Sequence, residues 1–330
     1  MSKPICVFVL GNGFAQGFGF PNLQRLWQDC LAVSSKNFDI KGYFEERLNK
    51  YPLSYFRKNN ITDIELLLSV WSAYIANYER TFPDFNNETS SRGHYEAYLD
   101  NLCGHLLEYG DKAPMNPNYS QFKEWLIGKL NNFEFRFITL NYDLLLEKII
   151  SEIGRGIVYL NNPKEEDIII RKLHGSVNWL KANTPHLQRE DGAKPPILCN
   201  EGQTYVYNIN FDYSNVPYVA FKSPPALIPP LVNKEYTELF TKLLTLSSKD
   251  LQNASFIIIA GYSLPDSDIL IRRFLGNHSK YSTAQCLRFA YINSNEEHCV
   301  EAKRLLGDKV GYIAKNWDFN LFNEILDYKS

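Results

Sequence analysis

"ICVFVLGNGFAQGFGFP", residues 5–21, decides the fold. Six largely apolar residues run into a segment with four glycines, Gly11, Gly13, Gly17 and Gly19, within nine positions. Glycine at this density is destabilising unless the backbone needs positive φ or another group must come very close. A short run that is apolar on both alternations reads as a strand buried on both faces of a parallel sheet. A glycine turn and a helix start after such a strand form an anion site, with backbone N–H groups and the helix dipole facing a phosphate. A tight structural turn fits the same glycines. The spacing departs from the dehydrogenase fingerprint: the third glycine stands at 17 instead of 16, and no second strand with a ribose-binding acid follows within about twenty residues. Hydride transfer is disfavoured on that ground.

Four more runs end in the same manner. "FEFRFITL" (133–140) stops at Asn141-Tyr142-Asp143, and "DIIIRKL" (167–173) at His174-Gly175-Ser176. "SFIIIAG" (255–261) stops at Tyr262-Ser263, and "LRFAYI" (287–292) at Asn293-Ser294-Asn295. Helical stretches between them, such as "LLLEKIISEIG" and "EEHCVEAKRLLG", supply the crossovers a parallel sheet requires. The predicted fold is therefore α/β, a Rossmann-like parallel sheet with helices on both faces. Ligands of such sheets bind beyond the carboxyl ends of the strands, where the polar and small residues of this chain collect.

Two segments interrupt the pattern. Residues 22–131 carry Leu, Tyr and Trp at helical spacing and are too long for a loop, so they are expected to form a helical insertion lobe over the sheet's carboxyl edge. Residues 177–235 contain Pro and Asn clusters with alternating β patterns, including "ILCNEGQTYVYNINF" and "ALIPPLVNK". Residues 1–21 and 132–330 then make the sheet domain. The 330 residues, 45% apolar, suffice for a well-filled core. A net charge of −2 argues against a nucleic-acid surface. The cysteines Cys6, Cys30, Cys103, Cys199, Cys286 and Cys299 never form a CxxC pair, which argues against a disulfide scaffold or a zinc ribbon. They read as reduced, mostly buried thiols. The first apolar run is too short for a signal peptide and no stretch reaches membrane-spanning length, so a soluble cytoplasmic chain without membrane partners is expected.

At this point the residues resemble a family. "GNGFAQGFGFP" is similar to the glycine-rich opening of the sirtuins, and "TLNYD" (139–143) to their Thr-x-Asn-x-Asp segment. "LHGS" (173–176) looks like the segment with the sirtuin catalytic histidine, "GYSLPDSD" (261–268) like the Gly-x-Ser turn, and "YINS" (291–294) like the strand-end Asn. The two CxxC pairs of the deacylases are missing. "GYSLP" and "PPLVNK" look like the prokaryotic sirtuin-like branch, whose characterised members hydrolyse NAD and serve in defence against phages. The resemblance implies NAD as substrate, no metal, and loss of nicotinamide from the ribose.

Under that resemblance Gly11, Asn12, Gly13 and Phe14 line the phosphates and cover the leaving group, and Gly261, Ser263 and Asn293 receive the adenosine half. Asn141 holds a ribose hydroxyl or the attacking water, since an amide donates and accepts at once. His174 accepts a proton near neutral pH. Asp143 binds the nicotinamide amide or holds water, although Asn-x-Asp also fits a cap on the helix that follows. Asp266 and Asp268 are expected to cap "DILIRRFLG". His94, His105, His186, His278 and His298 are scattered without ligand spacing. The expected activity is NAD hydrolysis to ADP-ribose and nicotinamide in anti-phage defence. It would be switched on by homo-oligomer assembly or by a separately encoded partner, an ATPase or Argonaute-like protein, since "NWDFNLFNEILDYKS" at the end leaves no room for a sensor domain. Alternatives are a protein deacylase or ADP-ribosyltransferase with the same pocket, and a non-enzymatic sensor of NAD or ADP-ribose.

Overall fold

The computed structural model describes residues 3–32, 41–42, 91–160, 163–181, 197–201, 204–207, 225–227, 238–280 and 288–327. The stretches "PPLVNK" and 61–80, the residues His186 and Cys286, and the side chains of His94 and Cys199 lie outside the described part. The chain opens with β1 (Ile5–Leu10), a short helix α1 (Asn12–Gln16), and the helices α2 (Leu23–Ala32) and α3 (Ser91–Lys112). A 3-10 turn at Ala113–Met115 leads to α4 (Pro117–Lys129), β2 (Glu134–Thr139), α5 (Leu145–Glu152), β3 (Ile157–Val158) and β4 (Ile168–Lys172). Next come β5 (Gly175–Lys181), β6 (Ile197–Glu201), β7 (Thr204–Tyr207), β8 (Pro225–Leu227) and α6 (Glu238–Gln252). The last part holds β9 (Phe256–Ala260), a 3-10 turn at Asp266–Asp268, α7 (Ile269–Lys280), β10 (Arg288–Ile292), α8 (Glu296–Leu306), β11 (Gly311–Ile313) and α9 (Phe319–Leu326).

Seven strands form one sheet in the order β11-β10-β9-β1-β2-β4-β3. Every pair in it is parallel. The five apolar runs are its interior, and β3 and β11 are short additions at the two edges. β1 sits in the middle, with Phe8 aligned to Phe137 of β2 and to Ile258 of β9. Residues of β1 from Cys6 onward are buried, as continuous apolar character on both alternations requires.

Helices cover both faces. On one, Phe8 meets Trp125 of α4 edge-on at 6.0 Å and Phe322 of α9 at 5.1 Å. The alternate β2 residue Arg136 points the other way and donates to Asp250 of α6 at 2.7 Å, and Arg171 of β4 donates to the same carboxylate at 2.8 Å. Two guanidinium partners satisfy a carboxylate that burial would otherwise penalise. The strands β5 to β8 make a separate antiparallel sheet of order β6-β7-β5-β8 within the second interruption. In the first, α2 and α3 pack together: Tyr109 donates to Asp29 at 2.9 Å and Asn101 to the Cys30 carbonyl at 3.0 Å.

From β1 the chain builds outward through β2 and β4 on one side, then returns to add β9, β10 and β11 on the other. The reversal falls between β1 and β9, the position where open α/β sheets hold ligands.

Candidate functional site

A cavity of about 420 Å³ opens at that reversal. Its lining joins the turn after β1 (Gly11, Asn12, Gly13), the end of β2 (Asn141, Tyr142, Asp143), His174 after β4, the turn after β9 (Gly261, Tyr262, Ser263) and Asn293 after β10. Leu23 and Leu26 of α2 and Leu106 of α3 supply an apolar wall.

What comes close to the opening glycines is the chain itself. A Cβ on Gly11 would lie 2.6 Å from Tyr262 Cα, and one on Gly13 would lie 2.9 Å from Gly261 Cα. A Cβ on Gly17 would collide with the Trp317 indole. Gly261 reciprocates: its φ is +64°, and a side chain there would strike the backbone at Gly13 and Phe14. Only glycine lets the two turns approach this closely.

The N–H groups expected to face a phosphate are also engaged inside the protein. Gly11 N–H donates to Ala260 O at 3.2 Å, Gly13 N–H to Gly261 O at 2.8 Å, and Phe14 N–H to Gly11 O at 3.0 Å. The Phe14 ring is 1% exposed and packs 4.7 Å from Trp317, which lines the cavity, and 5.1 Å from Phe18.

Asn141 ties β2 to this turn. Its Nδ2 donates to Gly11 O at 3.1 Å, and its backbone N–H donates to Thr139 Oγ1 at 3.1 Å. Asp143 Oδ1 accepts from Leu145 N–H at 3.0 Å, so the carboxylate does cap the start of α5 while lining the cavity. Burial pushes its carboxyl above the ordinary 3.8, against the opposing pull of the Lys172 ammonium. Beneath it, buried Lys172 donates to the Asp143 carbonyl and, at 3.0 Å, to Glu147 Oε1. Tyr159 also donates to that oxygen, at 3.1 Å.

His174 is 5% exposed and is followed by Gly175 at φ +85°, which turns the chain sharply into β5. Its Nε2 lies 3.3 Å from Asp268 Oδ1. Asp268 stands directly before α7, where a cap was expected, and its side chain also lines the cavity. It is a buried carboxylate facing the histidine, with its second oxygen accepting from Tyr262 OH at 2.7 Å. Asp266 is exposed and pairs with Arg272. Asn293 spends its amide internally: Nδ2 donates to Tyr262 O at 3.4 Å and Oδ1 accepts from Asn295 N–H at 2.9 Å.

Beyond Asp268, sequence reasoning missed His298, Lys315 and Trp317, which also line the cavity. Trp317 donates from Nε1 to Gly13 O at 3.3 Å and stacks on Phe18 at 5.3 Å. Among the described residues, no group of three His, Cys, Asp or Glu is placed to hold a metal ion. Cys6, Cys30, Cys103 and Cys299 are free, and burial pushes the Cys30 thiol up to about 12. No helix of the described residues is long and apolar enough to cross a membrane.

A parallel sheet with helices on both faces and a polar cleft at its reversal defines an α/β ligand-binding protein. Comparison with protein families makes it specific: a family model described as SIR2-like domain matches residues 136–305, more than half of the chain. The chain belongs to the SIR2-like family. The match includes the segments carrying Asn141, Asp143, His174, Ser263 and Asn293, and begins after the glycine turn. Among solved structures, a mutant Sir2 homologue in complex with ADP-ribose is similar at 16% identity and TM-score 0.38, covering 99% of this chain and 92% of that one. A Sir2 structure bound to a propionylated peptide is similar at 12% identity and TM-score 0.36, covering 99% and 93%. No curated protein matches the sequence.

Proposed function

We propose that this chain is an NAD glycohydrolase, releasing nicotinamide and ADP-ribose. The observation that carries the reading is the cavity at the sheet reversal, which gathers Asn141, Asp143 and His174 beside Ser263 and Asn293. Its volume falls within the roughly 300–1,000 Å³ of ligand sites, and its mix of apolar wall and converging polar groups suits a dinucleotide.

In the proposed reaction the bond between ribose C1′ and the nicotinamide nitrogen breaks, and its electron pair leaves with neutral nicotinamide. Water oxygen bonds to C1′ and one proton is released, so NAD and water give nicotinamide, ADP-ribose and a proton. The protein's work is orientation and stabilisation of the positive charge that develops at the ribose. Asn141, fixed through Nδ2 on Gly11, presents its amide to water or a ribose hydroxyl. His174 takes the water's proton, a contribution of about 10²- to 10⁴-fold. In cells such an activity depletes NAD, which suits anti-phage defence and requires that it stay off until self-assembly or a partner protein switches it on at infection.

The test is a product assay with purified protein, alone and with any co-encoded partner. Nicotinamide and ADP-ribose should appear in equal amounts, and His174→Ala or Asn141→Ala should reduce the rate at least about 10²-fold. Nicotinamide released only when an acylated peptide is added would favour the deacylase. NAD bound but never cleaved would favour the sensor.

A further inference from the structure

His174 and Asp268 are both buried, and they come from different elements, the end of β4 and the 3-10 turn before α7. The turn is held in a demanding shape. Leu264 has φ +56°, a left-handed conformation that a branched side chain rarely adopts, and its carbonyl accepts from Arg272 at 2.9 Å. Tyr262 anchors the acid from the other side. Its hydroxyl donates to Asp268 Oδ2, while its own carbonyl accepts from Tyr291 OH at 2.7 Å. The carboxylate is thus fastened to β9 and β10, with Oδ1 3.3 Å from Nε2 of the cavity histidine, a buried contact that falls just short of hydrogen-bond alignment.

We propose that Asp268 is the positioning acid of the cavity: it holds His174 as the tautomer protonated at Nε2, leaving the lone pair on Nδ1 to accept the proton released in the reaction. An ionised carboxylate only accepts hydrogen bonds, so the small ring rotation that turns this contact into a hydrogen bond puts the hydrogen on Nε2. Tyr262 keeps Asp268 from turning away. The part concerning the lone pair's use rests on the hydrolase reading; the tautomer does not. Tyr142, whose ring centre is 6.2 Å from that of His174, lines the same cavity, as do Asp143, Tyr262, His298 and Lys315, so the Asp268 variant is needed to isolate its share.

The experiment labels histidine with nitrogen-15 and reads the full chain, without substrate, by long-range proton–nitrogen correlation; His174→Gln identifies the signal. Above the titration of His174, Nε2 should resonate as a protonated nitrogen and Nδ1 as an unprotonated one. Asp268→Asn should lower the His174 pKa by roughly one unit or more, because a neutral amide no longer favours the imidazolium. Asp268→Glu should restore part of the shift. In turnover, Asp268→Asn should cut kcat by at least about tenfold with a small change in KM, since a misplaced tautomer leaves binding intact. An Nδ1-protonated ring in the unaltered protein overturns the proposal, as does an Asp268→Asn chain whose His174 titrates as before. Asp268-dependent titration in a chain that never cleaves NAD supports the tautomer and overturns the hydrolase reading instead.

Discussion

Asp143 shows how one carboxyl serves two ends. It caps α5 through Leu145 N–H and lines the cavity, and burial raises its pKa above 3.8 despite Lys172 nearby. The sign of the pH effect follows. Between 3.8 and the raised folded value, the folded chain holds a proton that the unfolded chain has lost, so stability falls as pH rises through that window. Above it the ionised group costs stability. Asparagine keeps the capping oxygen without the charge. Asp143→Asn is therefore expected to melt no lower than the parent at pH 7, with the difference shrinking as pH falls toward about 4. Thermal unfolding across that range checks it, and a lower melting temperature at pH 7 would mean that the carboxylate's pairing with Lys172 outweighs its burial. NAD turnover by the same variant separates cap from site: full activity leaves Asp143 only the cap.

At the scale of elements, the geometry of the site depends on two joints. One is the Lys172–Glu147 pair, which ties the end of β4 to the first turns of α5 beneath Asn141, Asp143 and His174. Both side chains are 1% exposed, so removing one partner strands a buried charge. Lys172→Met is expected to cost about 3–5 kcal/mol, and the double variant with Glu147→Leu to recover most of it. Denaturant unfolding of the three chains decides; equal losses for single and double variants would place the cost in lost volume instead. The other joint is Gly17 under Trp317. Its backbone is right-handed, so Gly17→Ala carries no conformational penalty there, yet the added carbon meets the indole. A loss of about 1–3 kcal/mol and a shifted tryptophan emission are expected. Unchanged stability would show that Trp317 moves aside at little cost. Strands such as "SFIIIAG" were legible because burial on both faces leaves an unbroken apolar run. The edge strands Ile157–Val158 and Gly311–Ile313 were not, since two or three residues carry no periodicity.

Across the whole molecule, the site is assembled from segments near residues 11, 141, 174, 261, 293 and 317, and that distance decides what sequence could reveal. Asn141 and His174 were legible because each ends a strand, and strand ends converge in a parallel sheet. The partner of His174 was not. Asp268 precedes a helix, where local spacing reads as a cap, and only the fold, which brings the turn after β9 to the residues after β4, places it 3.3 Å from the histidine. The glycines were legible as a close approach, but their partner, Gly261, stands far along the chain. Such a cavity makes ligand binding a global event. A ligand that bridges these segments binds the folded chain alone and stabilises it by about 2.7 kcal/mol at a concentration one hundred times its Kd. With the His174→Ala chain, in which the proposed turnover would be lost, NAD at that excess is expected to raise the melting temperature by several degrees. Hydrogen exchange should slow together around residues 11–22, 139–143, 261–268 and 313–317. Protection confined to one of these stretches would mean that NAD sits on a single loop, and the shared cavity would then lose its claim to be the binding site.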